Sequence, residues 1–229
     1  MAKEEIPVAE KRHEAVIAEG EVEVLVKSRE RVKAYGEVFT PQRMVNRMLD
    51  FVKQDLEVDE GFVDKTVFEP AAGDGNFLIA VLRRKLDAVE QTFARDELVM
   101  ESLFALASIY GVELLEDNLQ SAQAGMLGEF VAFHEKLDVT FDATSDTLLA
   151  ANFIIQHNVV LGNTLTGQTA DGRPITFSWW HRIAEKPGFV QREPFTLDSL
   201  REANQGMIDF TVHPHFAPCF ITEVHKELK

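Results

Sequence analysis

Cysteine is nearly missing: Cys219 is the only one in 229 residues. An internal disulfide framework is therefore excluded, and the thiol count fits a reducing, cytoplasmic setting. Long apolar runs are missing too. No stretch approaches the roughly 20 residues of a membrane span, and the opening segment MAKEEIPVAEKRHEAV has no apolar centre of the kind a secretory signal needs. Positive charge is also in short supply. Against 38 Asp and Glu stand 23 Lys and Arg, a formal charge of −15 with a pI near 4.9. A protein that grips nucleic acid unaided needs cations to neutralise phosphate, so this balance counts against a self-sufficient nucleic-acid enzyme. Local patches stay open: Lys27, Arg29, Arg31 and Lys33 fall in one segment, Arg83, Arg84 and Lys85 in another. Such short clusters are commonly solvated helix faces.

What is present is a 45% hydrophobic composition, enough for one good-sized core. Residues 1–30 are charged and poor in aromatics and read as an N-terminal arm, with EVEVLVKSRERV open to helix or strand. Thr40 with Pro41 offers the start chemistry of a helix, and Met44, Val45, Met48, Leu49 and Val52 recur at helical spacing after it. The segment KTVFE reads as a strand and Phe77, Val81, Leu82, Leu86 and Val89 as one helix face. Helix ESLFALASI, strand YGVELL, helix EDNLQSAQAGMLGEFVAFHEKL, helix DTLLAANFIIQ, strand NVVLGN and strand RPITFSWW follow. Strands alternating with helices predict an α/β fold, a doubly wound, mostly parallel sheet covered on both faces. The last fifty or so residues show no period.

The turn between KTVFE and its helix, EPAAGDGNF, is the chemically informative stretch. In an open parallel sheet, ligands sit at the carboxyl ends of the strands. Gly73 and Gly75 let the backbone approach one closely. The dinucleotide fingerprint G-x-G-x-x-G is not met, because Leu78 stands where the third glycine belongs. Glu69 and Asp74 would also repel a pyrophosphate. A carboxylate-lined turn suits a cationic or hydroxyl-bearing ligand, and S-adenosylmethionine fits, with an ammonium, a sulfonium and ribose hydroxyls and no phosphate. Glu113 ends the next strand, where a carboxylate can accept both ribose hydroxyls. It could instead cap the following helix.

Together, GEVFTP, FEPAAGDGNFL, YGVELLEDN and NVVLGNTL resemble, in order, the cofactor motifs of the amino-methyltransferases of DNA. They are most similar to the adenine-specific type of restriction-modification systems. The resemblance runs from about Arg31 to Trp180. It implies a Rossmann-like, S-adenosylmethionine-binding domain over 31–185 and a C-terminal extension over 186–229. By resemblance, Phe39, Thr40 and Pro41 would cover the methionine part of the cofactor. Glu69, Pro70, Ala71, Gly73, Asp74 and Gly75 would form the floor, with Asn76 and Phe77 opening the helix. Glu113 would hold the ribose, Leu114 would pack on the adenine, and Asn163 would meet the adenine amino group.

The catalytic Asn/Asp-Pro-Pro-Tyr motif of that family is missing. By position its strand would be PITFSWW, which makes Ser178 and Trp179 the candidate catalytic residues, as acceptor of an amine hydrogen and as stacking platform. Core packing is the alternative for the tryptophans. The expected function is adenine-N6 DNA methylation, or a methylase subunit whose DNA target is recognised by a protein partner. The competing expectation is an inactive cofactor-binding partner protein. Only the net charge speaks for a DNA mimic. His213, His215 and Cys219 lack a fourth ligand, so no metal site is expected. His134 and His157 fall in helical patterns as surface or satisfied core residues.

Overall fold

The computed structural model describes residues 15–18, 21–204 and 216–226, with side chains over 25–200 and 216–226. A small antiparallel hairpin of β1 (Ala15–Ala18) and β2 (Glu21–Val24) falls within the expected arm. The ambiguous segment resolves into both forms, β2 and then α1 (Arg29–Tyr35). Ser28 caps α1, its hydroxyl accepting from the Arg31 N–H at 3.2 Å, and Gly36 ends it in the left-handed conformation. No residue of α1 is buried. What holds the helix down is therefore charge rather than packing, as the site shows below.

Helix α2 (Gln42–Phe51) buries Val45 and Leu49 against the body. Its start differs from expectation: Pro41 itself is the N-cap residue and no side chain caps the helix, so Thr40 is outside it. The strand expected at KTVFE is β3 (Val67–Glu69), and α3 (Asn76–Thr92) follows the glycine turn. Val81, Leu82, Leu86 and Val89 of α3 are buried as their spacing requires. Each contributes on the order of 2 kcal/mol of transfer free energy. Then come α4 (Leu98–Ala107), β4 (Ile109–Glu113), α5 (Glu116–Lys136), α6 (Asp146–Asn158) and β5 (Val159–Leu161). Strands β3, β4 and β5 form a parallel sheet with β4 central. One face of β4, with Ile109, enters the helical core, and Gly111 lets Leu78 of α3 lie close.

The other face is where the architecture departs from a doubly wound sheet. Strands β6 (Thr176–Arg182), β7 (Phe189–Thr196) and β8 (Cys219–Phe220) make a separate antiparallel sheet. Phe177, Phe195 and Ile175 pack there on Tyr110 and Val112 of β4. The physical reason is the connection. A parallel return needs a long crossover, usually a helix, and 162–175 contains no helix, only turns and the isolated bridges of Gln168 with Asn163 and Pro174. The chain therefore leaves the carboxyl end of β5, where Ile175 packs on Gly162, and runs down the sheet face to the amino end, where Arg182 pairs with Asp64 at 2.7 Å. The β6–β7 hairpin spans residue 185, the expected edge of the cofactor domain. Helix α7 (Leu197–Asn204) and a final 3-10 segment, Ile221–Lys226, complete the C-terminal part. No helix among the described residues is long and apolar enough to cross a membrane.

Candidate functional site

The carboxyl ends of β3, β4 and β5 converge on a cavity of about 450 Å³, within the usual size of small-molecule sites. Its floor is the glycine turn. After β3 the chain stays close to β4, with the Ala72 N–H donating to the Val112 carbonyl at 2.9 Å. Gly73 (φ 59°) and Gly75 (φ 96°) are both left-handed. At Gly75 a Cβ would lie 2.7 Å from the Ala122 Cα of α5, so the turn and α5 can meet only through glycine.

Glu113 stands at the centre and is 7% exposed. Its Oε2 accepts from the Gly73 N–H at 2.8 Å, and its Oε1 accepts from the Leu115 N–H at 3.0 Å and the Asn118 amide at 3.3 Å. A carboxylate offers about four acceptor sites, so one on Oε2 is left for a hydroxyl of a ligand. A second opens only if the long bond from Asn118 gives way. Glu113 also lines the cavity, with Leu114 beside it and Gly162 and Asn163 across it. The Asn163 Oδ1 accepts from the Leu165 N–H at 2.9 Å, which leaves its second lone pair and its amino group. Thr164 closes the rim by donating to the Pro70 carbonyl at 2.6 Å.

Over the cavity lies the segment from α1 to α2. Tyr35, Glu37, Val38 and Phe39 form its roof. Lys27 donates to Asp117 at 2.9 Å and to the Asn118 Oδ1 at 2.5 Å, and Arg31 bridges Glu37 and Asp117. These contacts tie the roof to the first turn of α5. They hold the Asp117 carboxyl far below the ordinary range and the Arg31 guanidinium above its own, hydrogen bonds being the main cause in both. The Asn118 amide also donates to Glu37 at 2.8 Å and so links roof to floor.

A smaller recess of about 100 Å³ adjoins, sharing Val38, Phe39, Ala71 and Gly73 with the larger cavity. Glu69, Asp74, Thr40, Asn76 and Phe77 line it, together with Met48. Burial raises the Glu69 carboxyl above its ordinary value, opposed by the bond from the Ala71 N–H at 3.1 Å. Burial also raises Asp74, opposed by a backbone bond from Asn76 and the charge of Lys27. Two carboxylates in a confined recess favour a cation there.

Most of the residues singled out in the sequence therefore meet. Phe39, Pro70, Ala71, Gly73, Glu113, Leu114 and Asn163 line the cavity, and Thr40, Glu69, Asp74, Asn76 and Phe77 line the recess. Pro41 and Gly75 line neither; Pro41 starts α2 and Gly75 starts α3. Ser178 and Trp179 are elsewhere. Ser178 is 1% exposed and its carbonyl accepts from the Tyr110 hydroxyl at 2.9 Å. Trp179 stacks on Phe195, ring centroids 4.6 Å apart, and borders a different cavity beside Thr66 and Ser108, which precede β3 and β4. The descent of β6 down the sheet face takes both to its amino end, away from the glycine turn. The sequence reading missed Glu37, Val38 and Asn118, although GEVFTP and ELLEDN contain them; the signal was the place of Asn118 in the first turn of the helix that follows Glu113.

Among the described residues no group of three or more His, Cys, Asp or Glu could hold a metal ion. His213 and His215 lie outside the described residues. His134 is a buried core residue, with its ring nitrogens bonded to Ser102 Oγ at 3.2 Å and the Phe130 carbonyl at 2.8 Å. Cys219 is half-buried, and burial pushes its thiol pKa up, toward the less reactive form. Comparison of the chain with models of protein families, with curated proteins and with solved structures finds no match.

Proposed function

We propose that the chain binds S-adenosylmethionine in the cavity between the glycine turn and the α1–α2 segment, as the methylating subunit of an adenine-type DNA modification system. The observation that carries the reading is a site rich in carboxylates and poor in phosphate-binding groups, with Glu113 joined to Gly73 at its centre. In this reading Glu113 holds a ribose hydroxyl, Leu114 packs on the adenine, and the Asn163 side chain meets its edge. Glu69 and Asp74 receive the ammonium, with the Thr40 hydroxyl nearby. The β3–β4–β5 order, with α3 and α5 in the two crossovers, is consistent with one wound half of a Rossmann-like methyltransferase sheet. The group, when bound, supplies an electrophilic methyl on sulfonium. The chain positions it and excludes water.

Incubating the chain with methyl-labelled cofactor and unmethylated DNA, then digesting the DNA to nucleosides, tests the reading. Label in N6-methyladenine supports it; no label in any nucleoside, with or without protein partners of a modification system, contradicts it. A second reading, cofactor binding without transfer, is favoured by one observation: Ser178 and Trp179, the acceptor-side candidates, are packed away from the cavity. It predicts binding heat without label.

A further inference from the structure

The cationic clusters conspicuous in the sequence are, Lys33 apart, already used inside the fold. Lys27 and Arg31 are taken up by Asp117, Asn118 and Glu37. Arg83 pairs with Glu129, Arg84 with Asp50 and Glu57, and Lys85 is buried. Among the cationic side chains described, only Lys33, Arg43 and Arg47 have neither an ion pair, a hydrogen bond nor a ring contact. All three belong to the α1–α2 segment that roofs the cavity, on a chain of net charge −15. In such a chain an arginine without an ion pair is the exception.

The same segment exposes large apolar side chains. Phe51 is 89% and Tyr35 56% exposed, and Met44 and Met48 are about half exposed. Helical geometry sorts the α2 residues into two rows. Arg43 and Arg47, one turn apart, form a cationic row that runs on to Asp50, whose carboxylate is taken up by Arg84, and Met44, Met48 and Phe51 form an apolar row beside it. The second row leads to the site, because Met48 also lines the carboxylate recess.

We propose that this rim is the face on which a single strand of nucleic acid lies. Arg43 and Arg47 contact consecutive phosphates, and Met44, Met48 and Phe51 support the bases. The inference rests on the reading of the cavity as an adenine-type methyl-transfer site and supplies its acceptor face. Two features favour a strand over an acidic protein helix. The arginines are about 6 Å apart along the axis, close to the spacing of neighbouring phosphodiesters. The rows also lie side by side, as phosphates and bases do on one strand, whereas a partner helix would need one apolar stripe with charge on both flanks. The carboxylates of the recess keep the phosphates on the rim, so a base is the part of a strand suited to turn inward.

Fluorescence anisotropy of the full chain with a labelled, adenine-containing oligodeoxynucleotide of about 16 nucleotides tests this. Measurements run from about 20 to about 200 mM salt on the wild type and on R43Q/R47Q, whose exposed positions leave the fold intact by thermal melting. The expected result is wild-type binding at low salt, tighter to the single strand than to its duplex. In R43Q/R47Q the slope of log K against log salt falls by about 1.4, two phosphates at about 0.7 each, while cofactor heat is unchanged. No binding of the oligonucleotide at low salt, an unchanged slope in R43Q/R47Q, or binding of a Glu-rich amphipathic peptide in its place overturns the proposal. If the strand binds as described and the cofactor gives no heat, the reading of the cavity fails and the face stands. If the cofactor binds and the strand does not, the face fails alone.

Discussion

Glu113 and Gly73, separated by 40 residues, are joined by a 2.8 Å hydrogen bond from the glycine N–H to the carboxylate. The end of β4 thus fixes the turn that follows β3, and the group that shapes the cavity floor is also one that lines the cavity. Any loss at Glu113 is felt twice.

Glu113→Gln replaces one acceptor oxygen by an amino group, and Glu113→Ala leaves the Gly73 and Leu115 N–H groups unpaired. The alanine variant is expected to lose about 1–3 kcal/mol of stability and the glutamine variant less. Both are expected to weaken nucleoside binding at least about tenfold, a loss of about 1.4 kcal/mol. Denaturant melts and titration calorimetry read the two effects separately.

Gly75→Ala places a methyl group 2.7 Å from the α5 backbone at a left-handed position. Overpacking and backbone strain each cost on the order of 1–3 kcal/mol. Together they are expected to lower the melting temperature by about 4–24 °C, at about 2–4 °C per kcal/mol for this size. Gly36→Ala, where a Cβ meets nothing within 4 Å, carries the strain alone and is expected to cost less.

Trp179→Ala removes the stack on Phe195 and the edge contact with Tyr110. Stability is expected to drop by roughly 2–3 kcal/mol, below the range for a fully buried aromatic. Cofactor affinity is expected to stay within about twofold of wild type, well under the tenfold that 1.4 kcal/mol would give, because the ring borders a separate cavity. A large affinity loss in the folded variant would place Trp179 in the site after all.

Lys85 is buried, with its Nζ within hydrogen-bonding distance of four acceptors that share its N–H groups: the carbonyls of Phe62, Val63 and Lys65 at 3.2, 3.1 and 2.5 Å and Ser108 Oγ at 2.7 Å. Burial pushes its pKa down to about 7 from 10.5, opposed by the charge of Asp64. Between those values the unfolded chain holds a proton that the folded chain lacks. Unfolding free energy therefore rises with pH across that window, by up to about 1.4 kcal/mol per unit, and is lost as pH falls toward 7. Urea melts at several pH values, compared with Lys85→Met, are expected to show this rise in the wild type only.

Ligand binding carries its own pH signature. Glu69 and Asp74 lie above their ordinary 4.5 and 3.8 through burial, and they must be ionised to receive a cation. Affinity is expected to decline on acidification while the pH is still above those ordinary values. Glu69→Gln with Asp74→Asn flattens the decline. Calorimetry in matched buffers reads it as proton release on binding.

The parallel strands and the turn that floors the cavity were legible because their cues are local. Glycines at a tight turn, an acid at a strand end and the 3.6 period of α3 each lie within a few neighbouring residues. The C-terminal part was illegible for the opposite reason. Strand β7 carries Pro194 opposite Ser178 and is defined by its pairing with β6 and by packing of Phe195 on Tyr110. Both are contacts across the molecule that no local pattern records. The same non-local choice, β6 turning down the sheet face, moved Ser178 and Trp179 out of the site. The basic segments read as solvated helix faces, yet all their cations except Lys33 are paired, bonded or buried, and the arginines of α2 without an ion pair belong to neither segment.

The central claim is that the carboxylate-lined cavity at Gly73 takes a sulfonium nucleoside and rejects a pyrophosphate. Titration calorimetry of the full chain with S-adenosylmethionine and, separately, with a dinucleotide measures this directly. The account predicts one-to-one binding heat for the first, lost in Glu113→Ala, and none for the second. Heat with the dinucleotide, or none with the sulfonium compound, would contradict it.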